Sequence, residues 1–267
     1  MKKCIIFYNN EKIIAEDFYE KLLEYIEKKS SEISLVNDIE LADFVILIGG
    51  DGTFLRATKE IIKNSNIGVL AINAGSLGFL TEIKIEEAFQ HLESYLKGDY
   101  ILKTRRLLEI NVKGKSYNAL NEAVISKGGI LTKLLRISAY DNGKYINTYR
   151  ADGLIVSTPI GSTAYSMSAG GPIISPELEV VSLTPIAPHN LSTRPLIISG
   201  EDELSFKIED KGRGGYVIID GDECIEIQEQ DIVTVKYSEK KIKLILSEET
   251  DYYSILREKL KWGDKLC

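Results

Sequence analysis

The chain has 267 residues, 44% of them hydrophobic and 27% charged, with a net charge of −7. That is enough for one large domain or two modest ones of ordinary globular composition, and the acidic balance argues against non-specific DNA or RNA binding as the main role. No apolar run approaches the roughly 20 residues that cross a bilayer, and the cysteines (Cys4, Cys224, Cys267) and two histidines (His91, His189) are too few and too scattered for a disulfide framework, a zinc knuckle or a His-rich metal site.

The N-terminal apolar stretch, Cys4 to Tyr8, is too short for a signal peptide, so a cytoplasmic location is expected. From there the chain alternates strand and helix. KCIIFYN (3–9) reads as a buried strand, and EDFYEKLLEYIEKK (16–29) places Phe18, Leu22, Tyr25 and Ile26 on one helical face. DFVILIG (43–49) is the near-continuous apolar run of a central parallel strand. A helix is expected at 53–63, a strand at 67–73 (IGVLAIN), a second glycine turn in AGSLGFL, and a helix at 86–98 ended by Gly98. This rhythm predicts an α/β domain with an open, mostly parallel sheet over 1–99.

Near residue 100 the rhythm becomes β throughout, with hairpin turns at Lys113-Gly114-Lys115 and Asp141-Asn142-Gly143. A mostly antiparallel β domain is expected over 100–240, its last strand DIVTVKYSE. KKIKLILSEE reads as one more strand, and 251–262 as an amphipathic helix that packs back on the first domain, so that 241–267 completes it.

The stretch GGDGT, residues 49–53, follows a strand and opens a helix. It is neither a dinucleotide fingerprint, which would need glycine where Leu55 stands, nor a P-loop. The plainer reading is a tight turn with Thr53 as helix cap. The functional reading is that bare backbone at Gly49, Gly50 and Gly52 lets phosphate approach a helix N-terminus. Asp51 would repel that phosphate unless it holds a divalent cation or accepts a proton from an attacking hydroxyl; both tasks belong to phosphoryl transfer.

GGDGT is shared by diacylglycerol and sphingosine kinases and, in near form, by phosphofructokinases. Asn121-Glu122 and ADGLIVSTPIGSTAYSMSAGGPI (151–173) narrow the resemblance: together, in this order and spacing, the three segments resemble the bacterial-type NAD kinases over essentially the whole chain. The resemblance implies transfer of the γ-phosphoryl of ATP, or of inorganic polyphosphate, to the 2′-hydroxyl of the adenosine ribose of NAD. It implies Asp51 as general base, a divalent ion such as Mg²⁺, and a homo-oligomer, dimer or tetramer; no protein metal ligands, nucleic acid or membrane partner are expected. A carboxylate near pKa 4 is a weak base, so positioning and charge neutralisation are expected to supply most of the rate.

The same resemblance assigns Asn121 and Glu122 to NAD ribose or base groups, although on a regular strand neighbours face opposite sides; they can share a ligand only if the strand ends or bends there. It places Thr163, Ala164, Tyr165, Ser166, Met167 and Ser168 along the NAD site, where hydroxyls at 163, 165, 166 and 168 and the flat Tyr165 ring suit a dinucleotide. Asp152 matches a ligand-contacting aspartate, and Ala187, within APHNLSTRPLI, a residue close to substrate. Arg56 and Arg150 could offset phosphate charge or sit on solvated faces. His189, Asp220 and Asp222 are open between turn and site, and His91 is structural. Two rivals stand beside this reading: a lipid or sugar kinase sharing the GGDGT turn, and a non-catalytic dinucleotide-binding regulator.

Overall fold

The computed structural model describes residues 1–128, 133–247 and 251–262. The chain divides into one unit formed by Met1–Arg105 with the chain from Lys241 onward, and a second formed by Arg106–Lys240.

In the first unit, β1 (Lys2–Tyr8) leads to α1 (Ile13–Lys28), β2 (Ile33–Leu35), β3 (Phe44–Gly49), α2 (Asp51–Ile61), β4 (Gly68–Asn73), β5 (Ile83–Lys84) and α3 (Ala88–Lys97). The strand order is β2-β1-β3-β4, all parallel, with β5 parallel to β4 beyond. Every residue of β3 and β4 is buried, as expected for central strands covered on both faces. Only Cys4 of β1 is fully buried, so that strand is less enclosed than its apolar sequence suggests. Phe18, Leu22 and Ile26 of α1 pack on Phe44, Ile46 and Ile48 of β3 and Leu92 and Tyr95 of α3 in one core. Tyr25 is half-buried, its hydroxyl donating to Glu93. Gly98 ends α3 with φ +84, and Asp99 N–H closes on Ser94 O at 2.8 Å, a glycine-dependent cap.

Helix α2 starts two residues earlier than its periodicity suggests. Its N-cap is Gly50, with no side-chain cap, so Thr53 does not cap the helix. Thr53 instead packs back on the strand: a Cβ at Gly49 would lie 2.5 Å from Thr53 Oγ1.

In the second unit, β6 (Ile101–Val112), which begins in the first, turns into β7 (Lys115–Ala119) through Lys113 and Gly114, φ +50 and +72. There follow β8 (Glu122–Lys127), β9 (Leu135–Asp141), β10 (Lys144–Ala151), β11 (Gly153–Ser157), the single-turn α4 (Tyr165–Ser168), β12 (Val180–Ile186), β13 (Leu196–Ser199), β14 (Leu204–Ile208), β15 (Gly214–Ile219), β16 (Glu223–Gln228) and β17 (Ile232–Leu246). One antiparallel sheet has the order β13-β12-β11-β8-β15-β16; β10-β9-β14-β17 form another antiparallel run. The β9–β10 turn has Asn142 and Gly143 at φ +46 and +76, the positive pair of a two-residue hairpin. Ile125, Ile137, Leu154, Leu183, Phe206 and Val217 meet in one core.

The two strands expected at the end of the β region are a single fifteen-residue strand, β17. The exposed Glu239-Lys240-Lys241 stretch that reads as a break is its solvated middle. The end of β17 returns to the first unit, pairing Lys243 and Leu244 with Gly68 and Val69 of β4 in parallel. The closing helix, α5 (Tyr252–Leu260), is capped by Asp251, whose carboxylate accepts from Tyr253 N–H and Ser254 N–H. Glu258 of α5 lies 3.6 Å from Lys84. The expected strand end at Glu248-Glu249, and Cys267, lie outside the described residues.

Candidate active site

In an open parallel sheet the loops leaving the carboxyl ends of adjacent strands share one edge. In the first unit these are residues 9–12 after β1, 49–52 after β3 and 74–82 after β4. Asn9 N–H donates to Ile48 O at 3.0 Å and Ala74 N–H to Gly49 O at 2.8 Å, so the three loops are stitched together by backbone. The sheet departs from β1 in two directions, to β2 and to β3; this is the topological switch point at which such sheets bind ligands.

Asp51 is the first residue of α2 and is held by the third loop. Its Oδ1 accepts from Leu80 N–H at 3.0 Å, Thr81 N–H at 3.2 Å and Thr81 Oγ1 at 3.3 Å, and its Oδ2 from Phe79 N–H at 2.9 Å. A concave run of backbone N–H groups binds an anion, and here that anion is the protein's own carboxylate. The turn is built around it: a Cβ at Gly78 would sit 2.0 Å from Asp51 Oδ1. Oδ2, with a single donor, retains capacity to accept another hydrogen bond. The backbone at Gly50 and Gly52 is open on the side where a Cβ would stand, and Arg56 is exposed with Nη1 3.9 Å from that position at Gly52.

In the second unit the chain bends at Leu120-Asn121, between β7 and β8, which supplies the break that adjacent Asn121 and Glu122 require. The bend is fixed by Asp220, which the sequence left undecided. Its Oδ2 accepts from Leu120 N–H at 2.7 Å, and its Oδ1 from Asn121 N–H at 2.9 Å and Glu122 N–H at 3.0 Å. Asp220 itself has φ +47. Asp222 is exposed in the same turn, its N–H bonded to Ile219 O.

Asn121 and Glu122 are 9% and 7% exposed. Burial, with the Asp220 charge added, pushes the Glu122 carboxyl up to about 8. Among the described residues Glu122 Oε2 has no hydrogen-bond partner, and a buried polar atom of this kind calls for a ligand or water. At neutral pH the ligand-free side chain therefore carries a proton. Stability follows from the sign: the folded chain binds a proton the unfolded chain releases, so stability falls as pH rises from about 4.5 to about 8. Glu122→Gln should remove that slope, gaining on the order of a few kcal/mol over the parent at pH 8 relative to pH 4.5. Melting temperatures of both proteins across that range test it; parallel curves would contradict it.

The hydroxyl-rich segment docks on the same bend. Thr158 Oγ1 donates to Leu120 O at 2.7 Å and accepts from Gly161 N–H at 3.1 Å, and a Cβ at Gly161 would meet Asn121 O at 2.2 Å. Asn121, Glu122 and 161–168 are thereby brought together. Tyr165 is 46% exposed, so its ring face is accessible; Ser168 is exposed, and Ala164 and Met167 are half-buried. Two hydroxyls expected to face ligand do not do so freely. Ser166 is fully buried and bonded to Thr184 Oγ1 at 2.9 Å, and Thr163 donates to Ile160 O at 3.0 Å. A one-turn helix spaced tightly against β12 has to turn one hydroxyl inward. Thr158, whose side chain joins the two segments, was not singled out from the sequence.

Arg150, Asp152 and Ala187 form a separate group at the opposite end of β11, roughly 13 Å of extended strand away. Asp152 N–H bonds Ile186 O at 3.0 Å and His189 N–H bonds Arg150 O at 2.8 Å. The Asp152 carboxylate is paired with Lys127 Nζ at 2.6 Å, whereas the Arg150 side chain is exposed. Ala187 has φ +43, a conformation that alanine adopts only under local constraint. His91 lies on α3.

Among the described residues no three His, Cys, Asp or Glu side chains come together to hold a metal ion, and Asp51 already spends most of its acceptors on backbone. No helix among the described residues is long and apolar enough to cross a membrane.

Comparison with known proteins covers both units of the chain. The ATP-NAD kinase N-terminal domain model matches residues 5–100 and the ATP-NAD kinase C-terminal domain model residues 120–247. The chain is 41% identical over 268 residues to an NAD kinase of Fusobacterium nucleatum, covering 100% of both chains. It is 40% identical over 231 residues to an NAD kinase of Geobacter metallireducens, covering 85% of this chain and 81% of that one. Among solved structures, a yeast NADH kinase complexed with NADH shares the fold with a TM-score of 0.88 at 22% identity, covering 100% of this chain and 89% of that one. An Archaeoglobus fulgidus NAD kinase in complex with ATP superposes with a TM-score of 0.75 at 25% identity, covering 97% and 99%. The α/β unit with its fixed Asp51, the antiparallel β unit with its Asn121-Glu122 bend, the matches to both domain models and the full-length relative place this chain in the NAD kinase family.

Proposed function

We propose that the chain transfers the γ-phosphoryl of ATP to the 2′-hydroxyl of the adenosine ribose of NAD, giving NADP, with Asp51 accepting the hydroxyl proton. Phosphotransferase activity on NAD follows from family membership; the roles of individual residues are our assignment. The observation that carries it is the Asp51 carboxylate, fixed by four donors at the carboxyl edge of a parallel sheet. Ordering that group in the folded protein removes an entropic cost from the reaction step.

In the proposed reaction the ribose oxygen forms a bond to the γ-phosphorus as the bond to the bridging oxygen of ADP breaks. The hydroxyl proton passes to Asp51, whose Oδ2 has room to accept it. Open backbone at Gly50 and Gly52, with Arg56, supports the transferring phosphates; Gly49 gives way to Thr53 so that the turn can close. Asn121, Glu122, Tyr165 and Ser168 bind NAD, the unpartnered Glu122 oxygen taking a ribose or base group. Mg²⁺ bound on the donor phosphates would neutralise charge that builds on the transferred group. An assay with NAD, ATP and Mg²⁺ that reads NADP tests the reading: NADP is expected, and its absence despite NAD binding would leave a dinucleotide-binding regulator.

We further propose a cytoplasmic homo-oligomer. Strand β13 is a sheet edge, and its Leu196 and Ile197 are exposed; such an edge invites pairing with another copy. Sedimentation equilibrium should return a dimer or tetramer mass, and a monomer at micromolar concentration would contradict this.

A further inference from the structure

The loop after β1 carries a cation that neither the motifs nor the family match assigns. Lys12 is the N-cap of α1, and its side chain caps nothing there. It reaches instead across the switch point, its Nζ donating to Ala74 O at 3.3 Å. Among the described residues, apart from chain neighbours and local helix backbone, that Nζ is the only heavy atom within 4 Å of the Cβ position at two glycines. It lies 3.9 Å from the position at Gly50 and 3.2 Å from that at Gly75. Among the described residues the Lys12 ammonium has no carboxylate partner. Of its three donor hydrogens, one is used in that bond, and the ammonium itself lies beside bare glycine backbone. Loop 9–12 is not free to wander: Asn9 N–H is bonded to Ile48 O, and Asn9 Oδ1 accepts from Glu11 N–H at 3.1 Å.

An unpaired ammonium over two bare glycine turns, with Arg56 performing the same office at Gly52, is built for a chain of linked phosphates. We infer that Lys12 binds the phosphoanhydride chain of the phosphoryl donor, taking charge from the oxygens next to the transferred group. This rests on the kinase reading above. The same chemistry exists in ATP, in inorganic polyphosphate and in the pyrophosphate of NAD. The Lys12 assignment is to the donor, because Gly50 adjoins Asp51, where the acceptor hydroxyl has to lie, and Lys12 stands on the β1 and β4 side of that turn.

Lys12→Ala and Lys12→Arg are compared with the parent in steady state, varying ATP at saturating NAD, NAD at saturating ATP, and polyphosphate in place of ATP. For each donor that supports turnover by the parent, Lys12→Ala should raise the donor KM about 10- to 100-fold, the size of a charge-assisted contact, and leave the NAD KM within about twofold. Lys12→Arg should recover most of the loss. An unchanged donor KM in an active Lys12→Ala variant overturns the inference, as does a rise confined to the NAD KM. A parent that makes no NADP from either donor overturns the kinase reading. Calorimetric titration with adenylyl-imidodiphosphate then decides Lys12 by itself: weaker binding by Lys12→Ala supports it, and equal binding removes it.

Discussion

Replacing Asp51 by asparagine should lower NADP formation by about 10²- to 10⁴-fold, the range that positioned proton acceptors contribute, and should also cost stability. The second effect follows from the structure. Three backbone N–H groups and the Thr81 hydroxyl converge on the carboxylate. An asparagine oxygen can replace one carboxylate oxygen, but the amide N–H₂ then confronts a backbone donor across the other. A part-buried donor left unpaired costs about 1–3 kcal/mol, which in a chain of this size corresponds to a fall in Tm of several degrees. Rate and melting are measured on the same preparation. The proton-acceptor role requires a rate loss that persists well below the variant's melting temperature. A variant that melts early but turns over normally would leave Asp51 with only a structural task.

Asp220→Ala should act on NAD rather than on the donor. Its carboxylate ties down the N–H groups of residues 120, 121 and 122, so its removal strands three donors beside two buried side chains. A stability loss of about 2–4 kcal/mol is expected from the unpaired groups, and an increase in NAD KM of about tenfold or more as the Asn121-Glu122 bend relaxes. The ATP KM should stay near the parental value. Loss of the Asp220 charge also removes one of the two causes that raise the Glu122 carboxyl, so the pH-dependence of melting should weaken in the same variant. An unchanged NAD KM would show that the bend holds without its anchor.

These two aspartates illustrate what the sequence could and could not disclose. Asp51 was legible because an acidic residue inside a glycine turn, between an apolar strand and a helix, conflicts with phosphate binding unless it has chemistry to do. Asp220 was not, because its partners lie about one hundred residues upstream and only strand pairing brings them near. Lys12 escaped for the same reason: its contact with Ala74, 62 residues on, is created by the order of three parallel strands. The parallel sheet was readable from FVILIG and GVLAIN, runs too apolar for any half-exposed strand. The continuity of β17 was not, since its exposed lysines and glutamate resemble a loop when burial is unknown. Hydroxyl direction is equally hidden: nothing in the spacing of Thr163, Tyr165, Ser166 and Ser168 says that Ser166 turns inward to Thr184.

The central claim is that Asp51 takes the proton of the ribose hydroxyl, and the distance between those two groups tests it most directly. A crystal structure of the NAD complex should place an Asp51 carboxylate oxygen about 2.6–3.2 Å from the 2′-oxygen of the adenosine ribose. A complex in which that oxygen lies beyond hydrogen-bond reach of Asp51 in every conformer, with no bridging water, would contradict it.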